Sequence, residues 1–283
     1  MNINQNPKKI LVTGATGNVG RHLISQLLST GHKVSALTRT PDRANLPSEA
    51  ELILGNLTDT QSLLTAFEGV DAVYLISFNG EDFSPLTNGV KIMELARKSG
   101  VKKVIILKSE MGKSALDEAV ETSGITWTKL LPVEFMSNTL EWAASINRED
   151  VVREAFPDAK SAMIHEADIA AVALEALTKD GHAGKEYWLT GAEALTITDR
   201  VNVLSAVLGR EIRYIELSKE ETVRKWQEQY YSEEDIAFFL KMRTNPPEVG
   251  YTILPTVEQV TGKPPRSFAR WVAEHAAVFE REQ

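Results

Sequence analysis

"VTGATGNVG", residues 12–20, decides the fold, because it places three glycines between an apolar run and an amphipathic segment. The run "KILV" before it predicts a buried strand, and "NVGRHLISQLLSTG" predicts a helix that begins within it. In this pattern Gly14 permits the tight turn, Gly17 lets the backbone approach a pyrophosphate, and Gly20 lets the helix pack closely on the strand. The segment therefore predicts a strand–turn–helix unit that binds a dinucleotide.

The first turn of this helix is the expected phosphate site. The exposed amides of Thr16, Gly17, Asn18 and Val19 would face an anion at the positive end of the helix dipole. A glycine pattern alone is weak evidence, but this one follows a predicted strand and opens a predicted helix, which is the context that supports it. A glycine-rich turn that binds nothing is the alternative.

The alternation of strand and helix continues through the first half of the chain. Apolar runs recur at 9–14, 33–39, 50–57, 71–77, 102–108 and 126–132, with helix-length segments between most of them. Strands that are apolar on both faces and separated by helices indicate a parallel sheet covered on two sides. We therefore expect an α/β protein: a doubly wound parallel-sheet Rossmann fold with a small mixed C-terminal substrate domain.

The pattern changes after Pro132. Residues 136–156 are expected to be helical, "AMIHEAD" to contain a short strand, and Asp168 to cap a helix over 169–178. The second half therefore predicts a smaller mixed domain, with one strand–helix segment returning to the nucleotide fold. The expected division is a Rossmann domain over 1–139 with 161–190 returning, and a substrate or cap domain over 140–160 and 191–283.

The end of the second strand is expected to select the cofactor. An acidic residue there would bind a ribose 2′-hydroxyl and favour NAD, but "ALTRTPDR" at 36–43 has no acid before Asp42. Arg39 lies 25 residues after Gly14 and, with Arg43 nearby, is placed to pair with a 2′-phosphate and to stack on adenine. NADP(H) is the expected cofactor, and a solvated surface arginine is the alternative.

Two more strand ends are expected to lie along the cofactor, because ligands of this fold bind beyond the carboxyl ends of the strands. Asn56 and Leu57 end the third strand and are placed to flank the adenine. Ser77 and Phe78 end the fourth strand and are placed beside the ribose and pyrophosphate.

Composition excludes several classes of function. The 283 residues include no cysteine, which excludes disulfides, thiolate nucleophiles and Cys-ligated zinc. The net charge of −8, without a basic stripe, argues against nucleic acid, and no apolar run approaches the ~20 residues of a membrane span. The five histidines lack ligand spacing, so no metal site is expected, and no Gly-x-Ser-x-Gly elbow suggests a hydrolase. The start "MNINQNPKK" lacks the apolar region of a signal peptide, so the cytoplasm is expected.

Several segments resemble, in order and spacing, the NmrA-like atypical short-chain dehydrogenase/reductases: "TGATGNVG", "GNLTD", "GVDAVYLIS", "SGITWTKLLPVEFMSN", "HEADIAAVALEAL" and "YWLTGAEALT". The resemblance implies a Rossmann domain with a small C-terminal substrate domain, NADP(H) as cofactor, and Pro132, Val133 and Phe135 near the nicotinamide. The family includes NADP-dependent quinone-type and azo-type reductases and redox-sensing transcriptional regulators. Two departures are Lys108–Ser109, where relatives commonly carry Ser–Ser, and Leu131, where many carry arginine.

The stretch "LKSEMGKSALDE", residues 107–118, follows the fifth strand where related enzymes carry a catalytic Tyr-x-x-x-Lys dyad. Here the same spacing joins Ser109 to Lys113, and a serine hydroxyl is too weak an acid to replace tyrosine. Lys113 and Lys108 are the candidate catalytic residues, as a proton donor or as a contact to the ribose or the substrate carbonyl. Solvated lysines at a helix start are the alternative.

The leading hypothesis is an NADPH-dependent oxidoreductase that transfers a hydride to a small organic acceptor, quinone-like or otherwise conjugated, without the dyad. The alternative is a catalytically silent NADP(H)-binding redox sensor that acts through a protein partner. The expected partner of the enzyme is a small-molecule substrate, with no nucleic acid and no membrane, and the chain is expected to be a monomer or a homodimer. Residues 219–243 are charged and aromatic, and their role as lid, core or interface stays open.

Overall fold

The computed structural model describes residues 6–81, 84–109 and 112–281 of the chain. The chain forms two compact units. The first comprises residues up to Pro132 together with Glu166–Leu189 and Gln259–Gly262, and the second comprises Val133–His165, Thr190–Glu258 and the residues from Lys263 onward. The expected domain boundaries stay a prediction.

A parallel sheet forms the centre of the first unit. Within the described residues its seven strands are β1 (Lys9–Val12), β2 (Lys33–Thr38), β3 (Glu51–Leu54), β4 (Ala72–Ile76), β5 (Lys103–Leu107), β6 (Thr126–Pro132) and, later in the chain, β8 (Lys185–Leu189). They lie in the order β3-β2-β1-β4-β5-β6-β8, and every neighbouring pair is parallel. The expected α/β Rossmann fold is confirmed. The strand order reverses between β1 and β4, which is where such sheets bind their ligands.

The helices of the first unit are α1 (Asn18–Ser29), α2 (Gly89–Lys98), α3 (Ala115–Thr122) and α5 (Glu166–Thr178). Two of them, α1 and α5, pack against each other, and Gln26 Nε2 donates a hydrogen bond to the carbonyl oxygen of Ala167 at 2.9 Å. The central strands are fully buried, as apolar strands covered on both faces must be. The returning helix therefore completes one face of the sheet.

The second unit contains α4 (Ala143–Glu149), β7 (Val151–Glu154), α6 (Ile197–Leu208), β9 (Arg213–Glu216), α7 (Lys219–Glu228), α8 (Glu233–Thr244) and α10 (Phe268–Glu274). A short helix, α9, spans Thr256–Thr261. The strands β7 and β9 pair in parallel. The core packs Trp142 and Ile146 with Leu204, Phe268 and Trp271.

The helix expected over 136–156 is partly wrong. A 3-10 helix covers Met136–Trp142, α4 follows, and Asp150 then adopts a left-handed conformation with φ of 52°. That residue ends the helix, and the buried pair Val151 and Val152 continues as strand β7 because β-branched side chains favour a paired, buried strand.

The turn into the returning helix also differs from expectation. No strand forms over "AMIHEAD" within the described residues; Ile164 makes only an isolated parallel bridge to Phe135. Because α5 begins at Glu166, Asp168 lies in its first turn instead of capping it. The third strand is followed by short 3-10 turns at Thr60–Leu63 and Thr65–Phe67.

The aromatic segment 219–243 divides between core and surface. Trp226 is buried and its ring meets that of Phe239 edge-on at 5.3 Å, whereas Tyr230 is 96% exposed and Phe238 is 51% exposed. None of the helices in the described part of the chain combines the length and apolarity that a bilayer crossing requires.

Candidate functional site

The glycine loop reverses the chain between β1 and α1. Gly14 has φ of 59°, and Gly17 donates its amide to the carbonyl oxygen of Gly14 at 3.0 Å. A Cβ built on Gly14 would lie 3.0 Å from Cγ2 of Ile76, the last residue of the neighbouring strand β4. Both the conformation and the space at this position therefore favour glycine.

Gly20 lies where α1 crosses closest to the loop. A Cβ on Gly20 would stand 2.2 Å from the carbonyl oxygen of Gly14 and 2.9 Å from Cα of Ala15. Both atoms belong to the backbone, so no side chain can move aside. The close approach of helix and loop depends on the missing side chain at Gly20.

The N-terminus of α1 is open and held in place. Gly17 is its N-cap residue and brings no side chain to cover the amides of the first turn; Gly17 and Asn18 are exposed. Arg21 braces the loop from outside, with Nε donating to the carbonyl oxygen of Thr16 at 2.8 Å and Nη1 donating to that of Asn45 at 2.9 Å. Val19 is buried beneath this turn. The positive end of the helix dipole therefore lies at an exposed turn whose N-cap brings no side chain, which suits an anion.

Arg39 follows β2 and reaches the loop after β4. Its Nη1 lies 2.6 Å from Oε1 of Glu81, and its Nη2 donates to the carbonyl oxygen of Gly80 at 3.0 Å. The Arg39 side chain is still 42% exposed. Arg43 ends a 3-10 helix that starts at Pro41, and it is exposed. Sequence reasoning missed Glu81, because nothing in the local pattern connects it to Arg39.

The ends of β4 and β5 are linked through two serines. Ser77 is buried, and its Oγ accepts the amide hydrogen bond of Ser109 at 3.2 Å. Phe78, the next residue, makes an antiparallel bridge with Pro85. Ser77 and Phe78 are thus fixed at the same edge of the sheet as the glycine loop.

The turn after β3 is also well defined. Oδ1 of Asn56 accepts a hydrogen bond from the amide of Thr58 at 3.1 Å, and the amide of Asn56 donates to Oγ of Ser62 at 2.9 Å. Leu57 is buried, and its carbonyl oxygen accepts a hydrogen bond from Nδ2 of Asn88 at 2.8 Å. The predicted adenine contacts of Asn56 and Leu57 stay a prediction.

Lys108 is buried directly after β5. Its Nζ donates to the carbonyl oxygen of Gly112 at 2.7 Å and pairs with the carboxylate of Asp117 in the first turn of α3. The same carboxylate accepts the amide and the hydroxyl hydrogen bonds of Ser114, each at 2.8 Å, and so caps α3. Burial alone would raise the pKa of Asp117, but its hydrogen bonds from Lys108 and Ser114 hold that pKa below its usual value. Asp117 was missed in the sequence, although the Ser-x-x-Asp spacing marks it as a capping residue.

The charge network continues into β6 and reaches the surface. Lys129 is buried, with Nζ at 3.3 Å from Asp117, 2.5 Å from Glu121 and 3.0 Å from Glu186. Burial would lower the pKa of Lys129, but these carboxylates raise it to about 12. Lys113 is exposed, and its Nζ lies 2.7 Å from Oε2 of Glu121. The two candidate lysines therefore differ sharply: Lys108 is enclosed and paired, and Lys113 is at the surface. Their catalytic roles stay predictions.

The segment expected near the nicotinamide crosses the division between the units. Pro132 ends β6 in the first unit. In the second, Val133 and Phe135 are half-buried, and Phe135 bridges Ile164.

No cluster of three or more His, Cys, Asp or Glu side chains that could hold a metal occurs in the ranges that the structure describes.

Glu134, between Val133 and Phe135, forms a bidentate ion pair with Arg200. Arg200, buried on α6, donates from Nη1 and Nη2 to the two carboxylate oxygens of Glu134 at 3.1 Å and 2.9 Å. Burial would raise the pKa of Glu134, but Arg200, together with Arg243, lowers it to about 2. The sequence around this glutamate, "LLPVEF", did not predict its role, because its partner is 66 residues away.

Known proteins match the chain over nearly its whole length. The sequence model of the NmrA-like family matches residues 6–261. The (4-alkanoyl-5-oxo-2,5-dihydrofuran-3-yl)methyl phosphate reductase of Streptomyces griseus subsp. griseus is 35% identical, over 96% of this chain and 100% of its own. An NAD(P)H azoreductase of Xenophilus azovorans is 29% identical, over 95% of this chain and 99% of its own. Among solved structures, an NADPH-dependent quinone oxidoreductase of Escherichia coli complexed with NADPH has a TM-score of 0.77 at 24% identity, covering 94% of this chain and 99% of that one.

Proposed function

The chain belongs to the NmrA-like family, and on that basis we propose that it is an NADPH-dependent oxidoreductase acting on a small conjugated organic acceptor. Relatives that match end to end support the reaction class, because they are reductases of a furanone phosphate and of azo compounds. Both kinds of substrate offer a conjugated double bond as the electron acceptor. The shared chemistry of these acceptors, more than any one of them, defines the proposed substrate class.

One observation supports the cofactor most strongly: the glycine loop has the shape that a pyrophosphate needs. Gly17 leaves the first-turn amides of α1 uncovered, Gly14 makes the reversal, and Gly20 brings the helix against the loop. The residues present therefore fit a dinucleotide, with Thr16, Gly17, Asn18 and Val19 at the phosphates. Ser77 and Phe78 would lie along the ribose side, and Asn56 and Leu57 at the adenine.

Arg39 supports NADPH over NADH. It follows the second strand, where an acidic residue would select NAD, and it presents a guanidinium that suits a 2′-phosphate. Arg43, exposed on the next turn, would add positive charge to the same side.

When bound, NADPH supplies a hydride. The chain's own contribution is to bind and orient the reactants, since correct placement of two reactants can provide much of the rate acceleration. Reduction of a conjugated acceptor also consumes one proton, which water can provide without a Tyr-x-x-x-Lys dyad. Lys108 is held by Asp117 and Gly112, so it is suited to positioning the chain after β5, whereas Lys113 is at the surface and paired with Glu121, which raises the pKa of Lys113.

The purified chain is expected to oxidise NADPH in the presence of at least one acceptor from a panel of quinones, azo dyes, enals and unsaturated lactones. The measurement is the loss of reduced-nicotinamide absorbance, with cofactor affinity determined separately by titration. Tight NADPH binding without turnover of any acceptor in the panel would contradict the proposed oxidoreductase activity and would favour an NADPH-binding protein without catalysis.

Replacing Arg39 with aspartate is expected to raise the Kd for NADPH by roughly 10- to 100-fold, the size of a lost hydrogen bond to a charged group. The Kd for NADH should stay the same or fall, because NADH has no 2′-phosphate and an acidic residue at this position can bind its ribose 2′-hydroxyl. Lys91→Asp on the exposed face of α2 reverses the same charge elsewhere and serves as the control. If NADPH affinity is the same in Arg39→Asp and wild type, Arg39 does not bind the 2′-phosphate.

A further inference from the structure

The guanidinium predicted to bind the cofactor's 2′-phosphate already has an anionic partner within the chain. Glu81 Oε1 lies 2.6 Å from Nη1 of Arg39, and the neighbouring carbonyl oxygen of Gly80 accepts from Nη2 at 3.0 Å. Both terminal nitrogens of Arg39 are therefore engaged by the loop after β4. The Glu81 side chain is 65% exposed, so the pair lies at the surface, where a ligand can reach it.

The position of Glu81 is set by the loop that carries it. Its amide donates to Oδ1 of Asn79 at 3.0 Å, and the amide of Asn79 donates to the carbonyl oxygen of Ser84 at 2.8 Å. This turn follows Ser77 and Phe78 at the end of β4, next to the glycine loop in the sheet. The backbone of Glu81 is thus held next to Arg39 by the side chain of Asn79.

A phosphate and a carboxylate bind a guanidinium through the same pair of parallel N–H donors. A 2′-phosphate that binds Nη1 and Nη2 of Arg39 in this way competes with Glu81 for Nη1, and the displaced carboxylate then lies close to the incoming negative charge. NADH carries a hydroxyl at this position and can bind without breaking the pair.

Resting on the proposed assignment of Arg39, we propose that Glu81 is a specificity-determining residue that competes with the 2′-phosphate for Arg39. It acts through Arg39 and lowers the affinity for NADPH while leaving that for NADH nearly unchanged. The chain consequently discriminates less between the two cofactors than Arg39 alone would make it do.

Glu81→Gln is expected to lower the Kd for NADPH by roughly two- to fivefold, the range expected when an exposed ion pair is removed. The Kd for NADH should stay within error of wild type, so the NADPH-to-NADH preference should rise by the same factor. Both constants are measured by titrating cofactor against protein fluorescence, at low and at high salt. The gain should shrink at high salt because exposed charges are screened.

Two further variants separate this role from a general charge effect. Glu94→Gln removes one negative charge from the exposed face of α2, away from Arg39, and is expected to leave both constants unchanged. Combining Glu81→Gln with Arg39→Ser should abolish the gain, because the competition needs the guanidinium.

The results distinguish this proposal from the one on which it rests. If Arg39→Ser weakens NADPH binding but Glu81→Gln does not strengthen it, the competition is refuted and the 2′-phosphate assignment stands. An equal gain from Glu81→Gln with and without Arg39 also refutes it, since the effect would then be long-range repulsion. If Arg39→Ser leaves NADPH binding unchanged, the assignment of Arg39 itself fails.

Discussion

Replacing Arg200 with methionine is expected to lower the free energy of unfolding by about 3–5 kcal/mol, the cost of leaving one partner of a buried ion pair alone. Arg200 is 2% exposed, and its two terminal nitrogens hold both oxygens of Glu134. Without that guanidinium, the Glu134 carboxylate stays in a site that is only 19% exposed. Urea unfolding followed by tryptophan fluorescence measures the loss.

The pH dependence supplies the matching test. In wild type, the pKa of Glu134 is lowered from 4.5 to about 2, so the pair stabilises the fold above pH 4.5 and this contribution disappears as the pH falls through 2. In Arg200→Met only Arg243 remains to oppose burial, so the pKa of Glu134 should rise above its wild-type value, and the deficit in stability relative to wild type should be largest near neutral pH and narrow on acidification. The double variant Arg200→Met with Glu134→Met removes both charges and should recover most of the stability. A single variant as stable as wild type at pH 7 would contradict the role of the pair.

Gly20→Ala is expected to cost roughly 3 kcal/mol of stability, at the upper end for overpacking, and to abolish NADPH binding. The new methyl group would stand 2.2 Å from the carbonyl oxygen of Gly14, so the helix must move away from the loop. The amides of Asn18 and Val19, which are proposed to bind the phosphates, are on that helix and would move with it. Thermal unfolding and cofactor titration together measure both effects.

A second glycine on the same helix–loop unit provides the control. Gly31 lies just after the end of α1 and has φ of 84°. A Cβ built on it would meet no atom within 4 Å. Gly31→Ala should therefore cost only about 1–2 kcal/mol of backbone strain and leave NADPH binding intact. If Gly20→Ala and Gly31→Ala weaken NADPH binding equally, the loss does not come from the contact between a Cβ at position 20 and the carbonyl oxygen of Gly14.

The sheet was predictable because its signal is local. Runs such as "ILV" and "VIIL" are apolar on consecutive residues, as a strand covered on both faces requires. The glycine loop was predictable for the same reason, since three glycines and their spacing state the steric need directly. The prediction of a helix over 136–156 was partly wrong because Asp150, in a left-handed conformation, ends the helix. No sequence pattern predicted a turn at that residue.

The ion pairs of the site were not predictable, because their partners are far apart in sequence. Glu81 meets Arg39 only after the chain has passed through two more strands, β3 and β4, and Glu134 meets Arg200 only once α6 has packed into its core. Local periodicity identifies which side of a helix is buried but not which charge will lie opposite. The lysines after β5 show the same limit, since Lys108 and Lys113 look alike in sequence and have opposite surroundings.

The short connection between β5 and α3 has a practical consequence for redesign. The carboxylate of Asp117 on α3 pairs with Lys108, which follows β5, and with Lys129 on β6. These ion pairs link the two strands to the helix. A longer connection transplanted from a relative should preserve the Gly112 carbonyl oxygen that accepts from Lys108 and the Ser114 that caps α3 with Asp117. A graft that replaces Asp117 would remove a carboxylate partner from two buried lysines at once, so a library of chimaeras should keep Lys108, Ser114 and Asp117 constant while the other residues of the connection vary.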